Sequence, residues 1–89
     1  MKLKQGFKLR SVAGEYIVSA EGLELFDFNK LISLNPSAAY LWQEVEGREF
    51  DETDIAELLI GKYHISQEEA NNGASGIINK WIEAGLVEL

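Results

Sequence analysis

Nine residues, Leu34-Asn35-Pro36-Ser37-Ala38-Ala39-Tyr40-Leu41-Trp42, hold a strand end, a helix cap and the first turns of a buried helix. Leu34 closes a short apolar run. Asn35 is a strong N-cap, because its side-chain oxygen can accept from the free backbone N–H groups of a first helical turn. Pro36 suits the first helical position, where no N–H is needed and φ is already near its helical value. Ala38, Leu41, Trp42 and Val45 then recur at i, i+3, i+4 and i+7, which makes one apolar face. The junction therefore divides the chain into extended structure before it and helix after it.

The segment before the junction keeps a period of two. Phe7 and Leu9 alternate with Lys8 and Arg10, and Tyr16, Val18 and Ala20 alternate with Ile17 and Ser19. Ala13-Gly14 offers a tight turn between them, so residues 7–12 and 15–20 read as a hairpin. Glu21-Gly22 breaks the pattern. Leu23, Leu25, Phe26 and Phe28 follow without a clean period, as at a bulge or irregular crossing. Residues 30–34 read as a short third strand.

After the junction the period becomes helical. A first helix is expected from Pro36 to about Glu46, stopped by Gly47. Asp51 can cap a second, whose apolar face is Ala56, Leu59, Ile60 and Tyr63, widened by Ile55 and Leu58. Ser66-Gln67-Glu68-Glu69 reads as a capping box, with the Ser66 hydroxyl on the Glu69 N–H and the Glu69 carboxylate reaching back to Ser66. The third helix carries Ala70, Ala74, Ile77, Ile78 and Trp81 on one face, and Gly85 ends it. Leu86–Leu89 is a candidate terminal strand. Gly73 and Gly76 each cost about 1 kcal/mol relative to alanine inside a helix. They either leave room for another chain or weaken the start of the helix.

Three strands then three helices, the last two joined by a tight turn, make an α+β chain of the winged helix-turn-helix-like kind. At 89 residues it is expected to be a single domain over residues 1–89. A hydrophobic content of 46% is enough for a folded core. The absence of cysteine leaves no disulfide framework and no thiolate metal site. Residues 1–20 show no signal peptide, and no apolar run approaches the roughly 18 residues of a membrane span, so cytoplasmic placement is the expectation.

Charge narrows the function classes. Four of the eight basic residues lie within the first ten, where none of the fifteen acidic residues falls. The remainder is strongly acidic, and the net charge is −7. A phosphate backbone needs clustered Lys and Arg. The third helix, which reads DNA in an ordinary winged helix, carries Glu68, Glu69 and Glu83 against Lys80 alone and has no arginine for a guanine edge. His64 is the single histidine and stands in a turn, with no nucleophile motif around it. Glu44, Glu46, Glu49, Asp51, Glu52 and Asp54 lack the spacing and central glycine of a calcium loop. The chain is thus read as non-enzymatic, with no catalytic residue, no metal and no cofactor.

The Leu34–Trp42 junction, taken with Phe7–Arg10, the Leu31-Ile32-Ser33-Leu34-Asn35 approach, the Tyr63-containing helix end and the closing Ala84-Gly85-Leu86, resembles the small PqqD-like proteins. These are similar to the recognition elements of ribosomally made, modified peptide pathways, and the resemblance spans residues 7 to 88. It implies the same fold. It also implies a non-enzymatic adaptor that holds a precursor's leader peptide as an added strand and presents it to a modifying enzyme, such as a radical S-adenosylmethionine protein. Carried onto this chain, the main-chain strip is Lys30, Leu31, Ile32, Ser33 and Leu34, which spans about 17 Å. The opposing wall is Ile77, Lys80, Trp81 and Ala84. Leu31, Leu34 and Trp81 also read as core, and Lys80 as a solvated charge. Family members usually carry an aspartate where Gly73 stands here. Two other readings stay open: a winged-helix DNA-binding regulator, and a structural subunit that forms a homodimer through the same sheet edge.

Overall fold

A computed structural model describes residues 1–20 and 31–89. The expected crossing through Leu23–Phe28, and Lys30 of the expected third strand, lie outside the described residues. Among the described residues eight elements follow one another: β1 (Lys2–Leu3), β2 (Phe7–Val12), β3 (Glu15–Ala20), β4 (Ile32–Leu34), α1 (Pro36–Val45), α2 (Glu52–Tyr63), α3 (Gln67–Glu83) and β5 (Val87–Glu88). The α+β content and the order of three strands then three helices are as expected, with β1 added in front. The chain divides into two compact units, Lys4–Glu44 and Met1–Leu3 with Val45–Leu89.

The Lys4–Glu44 unit holds an antiparallel sheet of order β2-β3-β4. The hairpin register runs from Phe7↔Ala20 to Val12↔Glu15, so the loop is the two residues Ala13 and Gly14. Both have positive φ, 52° and 82°. This is the turn whose twist matches the flanking strands. β4 pairs with β3 through Tyr16↔Leu34, Ile17↔Ser33 and Val18↔Ile32. The third strand is thus shorter than expected, and Leu31 has no regular structure. On α1 the expected cap is present. The Ala38 N–H donates to Asn35 Oδ1 at 2.8 Å, and the Ser37 hydroxyl donates to the same oxygen at 2.9 Å. Ala38, Ala39, Leu41 and Trp42 are buried, and Val18 is fully buried on β3.

The other unit is a helix pair closed by a two-stranded ribbon. Asp51 and Asp54 form a reciprocal cap on α2: the Asp54 N–H donates to Asp51 Oδ1 at 2.9 Å, and the Asp51 N–H donates to Asp54 Oδ2 at 3.0 Å. At α3 only half of the expected box forms. The Glu69 N–H donates to Ser66 Oγ at 3.1 Å, but the Glu69 carboxylate accepts from the Ser66 hydroxyl rather than from its backbone N–H. Ile55, Ala56 and Leu59 of α2 and Ala70, Ala74, Ile78 and Trp81 of α3 are buried. Tyr63 is a correction to the expected α2 face, being 41% exposed at the last turn, where the helix ends on His64. Phe50 meets Trp81 edge to face, with ring centroids 6.3 Å apart.

Gly73 faces α2. A Cβ there would stand 3.2 Å from Leu59 Cδ1, so the missing side chain lets the two helices of this unit approach. Gly85 ends α3 with φ 76°. The Leu86 N–H reaches the Trp81 carbonyl and the Gly85 N–H the Ile82 carbonyl, the two bonds of a Schellman stop. The chain then enters β5, which pairs antiparallel with β1 through Leu3↔Val87 and Lys2↔Glu88. The Phe50 N–H donates to the Met1 carbonyl, and the terminal amine donates back to the Phe50 carbonyl, both at 2.9 Å. No described helix is long and apolar enough to cross a membrane.

Candidate functional site

β4 has β3 on one side and, among the described residues, no strand on the other. Which of its backbone groups face outward follows from the hairpin. A two-residue loop makes its flanking residues, Val12 and Glu15, a hydrogen-bonded pair. Antiparallel strands alternate bonded and non-bonded pairs. Glu15, Ile17 and Ser19 therefore turn their N–H and C=O groups toward β2, and Tyr16 and Val18 turn theirs toward β4. Their partners Leu34 and Ile32 point back at β3. Ser33, opposite Ile17, is left with its N–H and C=O directed away from the sheet.

Side chains follow the same two-residue rhythm. Ile32 and Leu34 share a face with Val18 and Tyr16 and are half-buried, whereas Ser33 is exposed. Leu31 is half-buried just ahead of the strand. These residues form one contiguous stretch with a donor and acceptor directed away from β3 at its centre. β2 is the other edge of the sheet, and its Lys8 and Arg10 are exposed. Charged edge residues of this kind discourage strand addition.

At the end of β4 an open recess of about 330 Å³ is lined by Gly14, Glu15, Tyr16, Ser33, Leu34, Asn35 and Pro36. The Tyr16↔Leu34 pairing brings the hairpin turn and the start of α1 to the same place. Of these residues the sequence singled out only Ser33 and Leu34 as site residues. Glu15 and Tyr16 were visible only as hairpin residues, because their position beside Asn35 depends on the β3–β4 register.

The α3 residues divide by exposure. Lys80 and Ala84 are exposed and Ile77 is half-buried. Trp81 is 2% exposed with its ring against Phe50, so it belongs to the core and offers no face to a ligand. His64 is exposed and serves as the left-handed C-cap of α2, its N–H on the Ile60 carbonyl at 2.9 Å. Among the described residues no group of three or more His, Asp or Glu side chains is placed to hold a metal.

Comparison with known proteins adds three findings. No curated protein matches the chain. Two solved structures share its fold over almost its whole length. One is described as lasso peptide synthetase B1 complexed with the leader peptide, at 15% identity and a TM-score of 0.72, covering 99% of this chain and 96% of that one. The other is TbiB1 in complex with the TbiA(beta) leader peptide, at 11% identity and a TM-score of 0.74, covering 99% and 95%. A family model spans nearly all of the described elements, residues 10–87, from the hairpin through β5, and by that match the chain belongs to the family described as Coenzyme PQQ synthesis protein D (PqqD).

Proposed function

We propose that residues 1–89 act as one non-enzymatic peptide-recognition domain. It holds the leader of a precursor peptide by strand addition and presents the precursor to a modifying enzyme. The observation that carries this reading is the outer edge of β4, where Ser33 directs a donor and an acceptor away from the sheet. An extended peptide can bond to that pair and lay alternate side chains beside Leu31 and Leu34. Membership in a family named for coenzyme synthesis supports it, as does a fold shared with two proteins solved with leader peptides. Ile77, Lys80 and Ala84 enter the proposal as side-chain contacts for the peptide. Trp81 enters only as support for α3.

The benefit of such an adaptor is effective concentration: once the leader is held, the enzyme meets its substrate almost intramolecularly. The family resemblance suggests a radical S-adenosylmethionine enzyme as that partner. The chain itself uses no cofactor in this role.

The test uses peptides selected from a random display library on the wild-type chain. Ser33→Pro deletes the outward N–H and leaves the bonds of Ile32 and Leu34 to β3 in place. Calorimetric titration of the selected peptides should show about a tenfold loss of affinity, the worth of one hydrogen bond and its desolvated partner. Circular dichroism should stay unchanged. Leu31→Asp is the side-chain counterpart and should weaken the same peptides. Peptides that bind both variants as tightly as wild type would remove β4 as the docking strand.

A further inference from the structure

We propose that the recess at the end of β4 is a subsite for one cationic side chain of the bound peptide, Arg or Lys, with Glu15 as its counter-charge. This rests on the strand-docking reading above and adds to it a preference for one kind of residue. Continuity comes first. Ser33 supplies the outward donor and acceptor, and it also lines the recess. A peptide bonded at Ser33 advances about 3.3 Å per residue, so the side chain two positions along toward Asn35, on the same face as Ser33 and Glu15, lies over the opening.

The walls select the chemistry. Glu15 and Ser33 share a face of the sheet by the two-residue alternation, and Pro36 adds apolar surface against which a long aliphatic stem can lie. Among the described residues that line the recess, Glu15 is the one charged residue and none is basic. Its cross-strand partner is Val12, and it takes part in no ion pair among the described residues. The volume, about 330 Å³, equals roughly ten waters of liquid, room for one long side chain.

The start of α1 also borders the recess, and a helix N-terminus ordinarily favours an anion. Here that end already carries a cap. Pro36 has no N–H, and Asn35 Oδ1 accepts from both the Ala38 N–H and the Ser37 hydroxyl. Among the described residues, the unopposed charge left at the recess is Glu15. The net charge of −7 draws a cationic segment from longer range.

The experiment selects a random display library in parallel on the wild-type chain and on Glu15→Lys, keeping only clones whose binding is lost on Ser33→Pro. Wild type should enrich Arg or Lys at one fixed position. Glu15→Lys should lose that enrichment or replace it with Asp or Glu. In a selected peptide, norleucine at that position should weaken binding about three- to fivefold, as for an exposed ion pair. Glu15→Gln should do the same, and the two changes together should cost no more than either alone. Clones sensitive to Ser33→Pro that show no cation preference, or that keep it on Glu15→Lys, overturn the subsite and leave strand docking intact. If no clone is sensitive to Ser33→Pro, strand docking fails and the subsite fails with it.

Discussion

Ala13 holds φ 52° at the first position of the hairpin turn, a conformation that places its Cβ near the following carbonyl. For an L-residue other than Gly or Asn this costs about 1–2 kcal/mol. Ala13→Asn, which converts the loop to Asn-Gly, should therefore stabilise the protein by about 1 kcal/mol, read as a raised urea midpoint at unchanged m-value. The two α3 glycines make a sharper pair. A Cβ at Gly76 meets nothing within 4 Å, and the position is exposed. Gly76→Ala should gain the helix-propensity difference, about 0.5–1 kcal/mol, or several degrees in Tm. At Gly73 the same Cβ presses on Leu59 Cδ1 at 3.2 Å. Leu59 is 6% exposed and has little room to move, so Gly73→Ala should gain clearly less than Gly76→Ala in the same melt. Equal gains at the two positions would show that α2 yields freely there.

At the scale of elements, caps decide where helices begin. The Asp51–Asp54 pair satisfies two backbone donors at the head of α2, and Asp51→Ala should lower stability by about 1 kcal/mol. The hairpin, the three helices and their stops were legible because each rests on signals only a few residues apart: alternation over 7–20, the Asn35-Pro36 cap, Ser66, Gly85. β1 was not, because two residues carry no period and Lys2–Leu3 becomes a strand only by pairing with Val87–Glu88 at the far end of the chain. In the second half of the Ser66 box the Glu69 carboxylate reaches back to Ser66 but accepts from its hydroxyl. The candidate site was legible as a stretch, not in its detail. The sequence placed Lys30–Leu34 in a third strand, of which Ile32–Leu34 is strand among the described residues. It could not say that Ser33, rather than Ile32, turns its amide outward, since that depends on the hairpin register. Nor could it separate a helix-three tryptophan that faces a ligand from one packed on Phe50.

For the whole molecule, net stability is small against any one core side chain. A domain of this size holds roughly 5–15 kcal/mol. Trp42 is fully buried, and Trp42→Ala should cost about 3–5 kcal/mol, visible as loss of the cooperative thermal transition near ambient temperature. Charge sets what the molecule attracts. Glu68, Glu69 and Glu83 are exposed on α3, with Lys80 as a basic neighbour. Titration of labelled duplex DNA at low salt should give no saturable binding; a tight, salt-sensitive complex would restore the regulator reading. Sedimentation across concentrations should show whether β4 is taken up by a second copy, and a constitutive dimer closed through that strand would displace the adaptor.

The outward amide of Ser33 has a consequence for how such a protein can drift. Every amino acid but proline carries that same pair of atoms, so under the proposed docking almost any replacement leaves the grip on the ligand unaltered. Mutation can then rewrite the surface letter by letter while the partner is kept, and descendants come to look unrelated on paper although each still clasps a ribbon of chain in the same way.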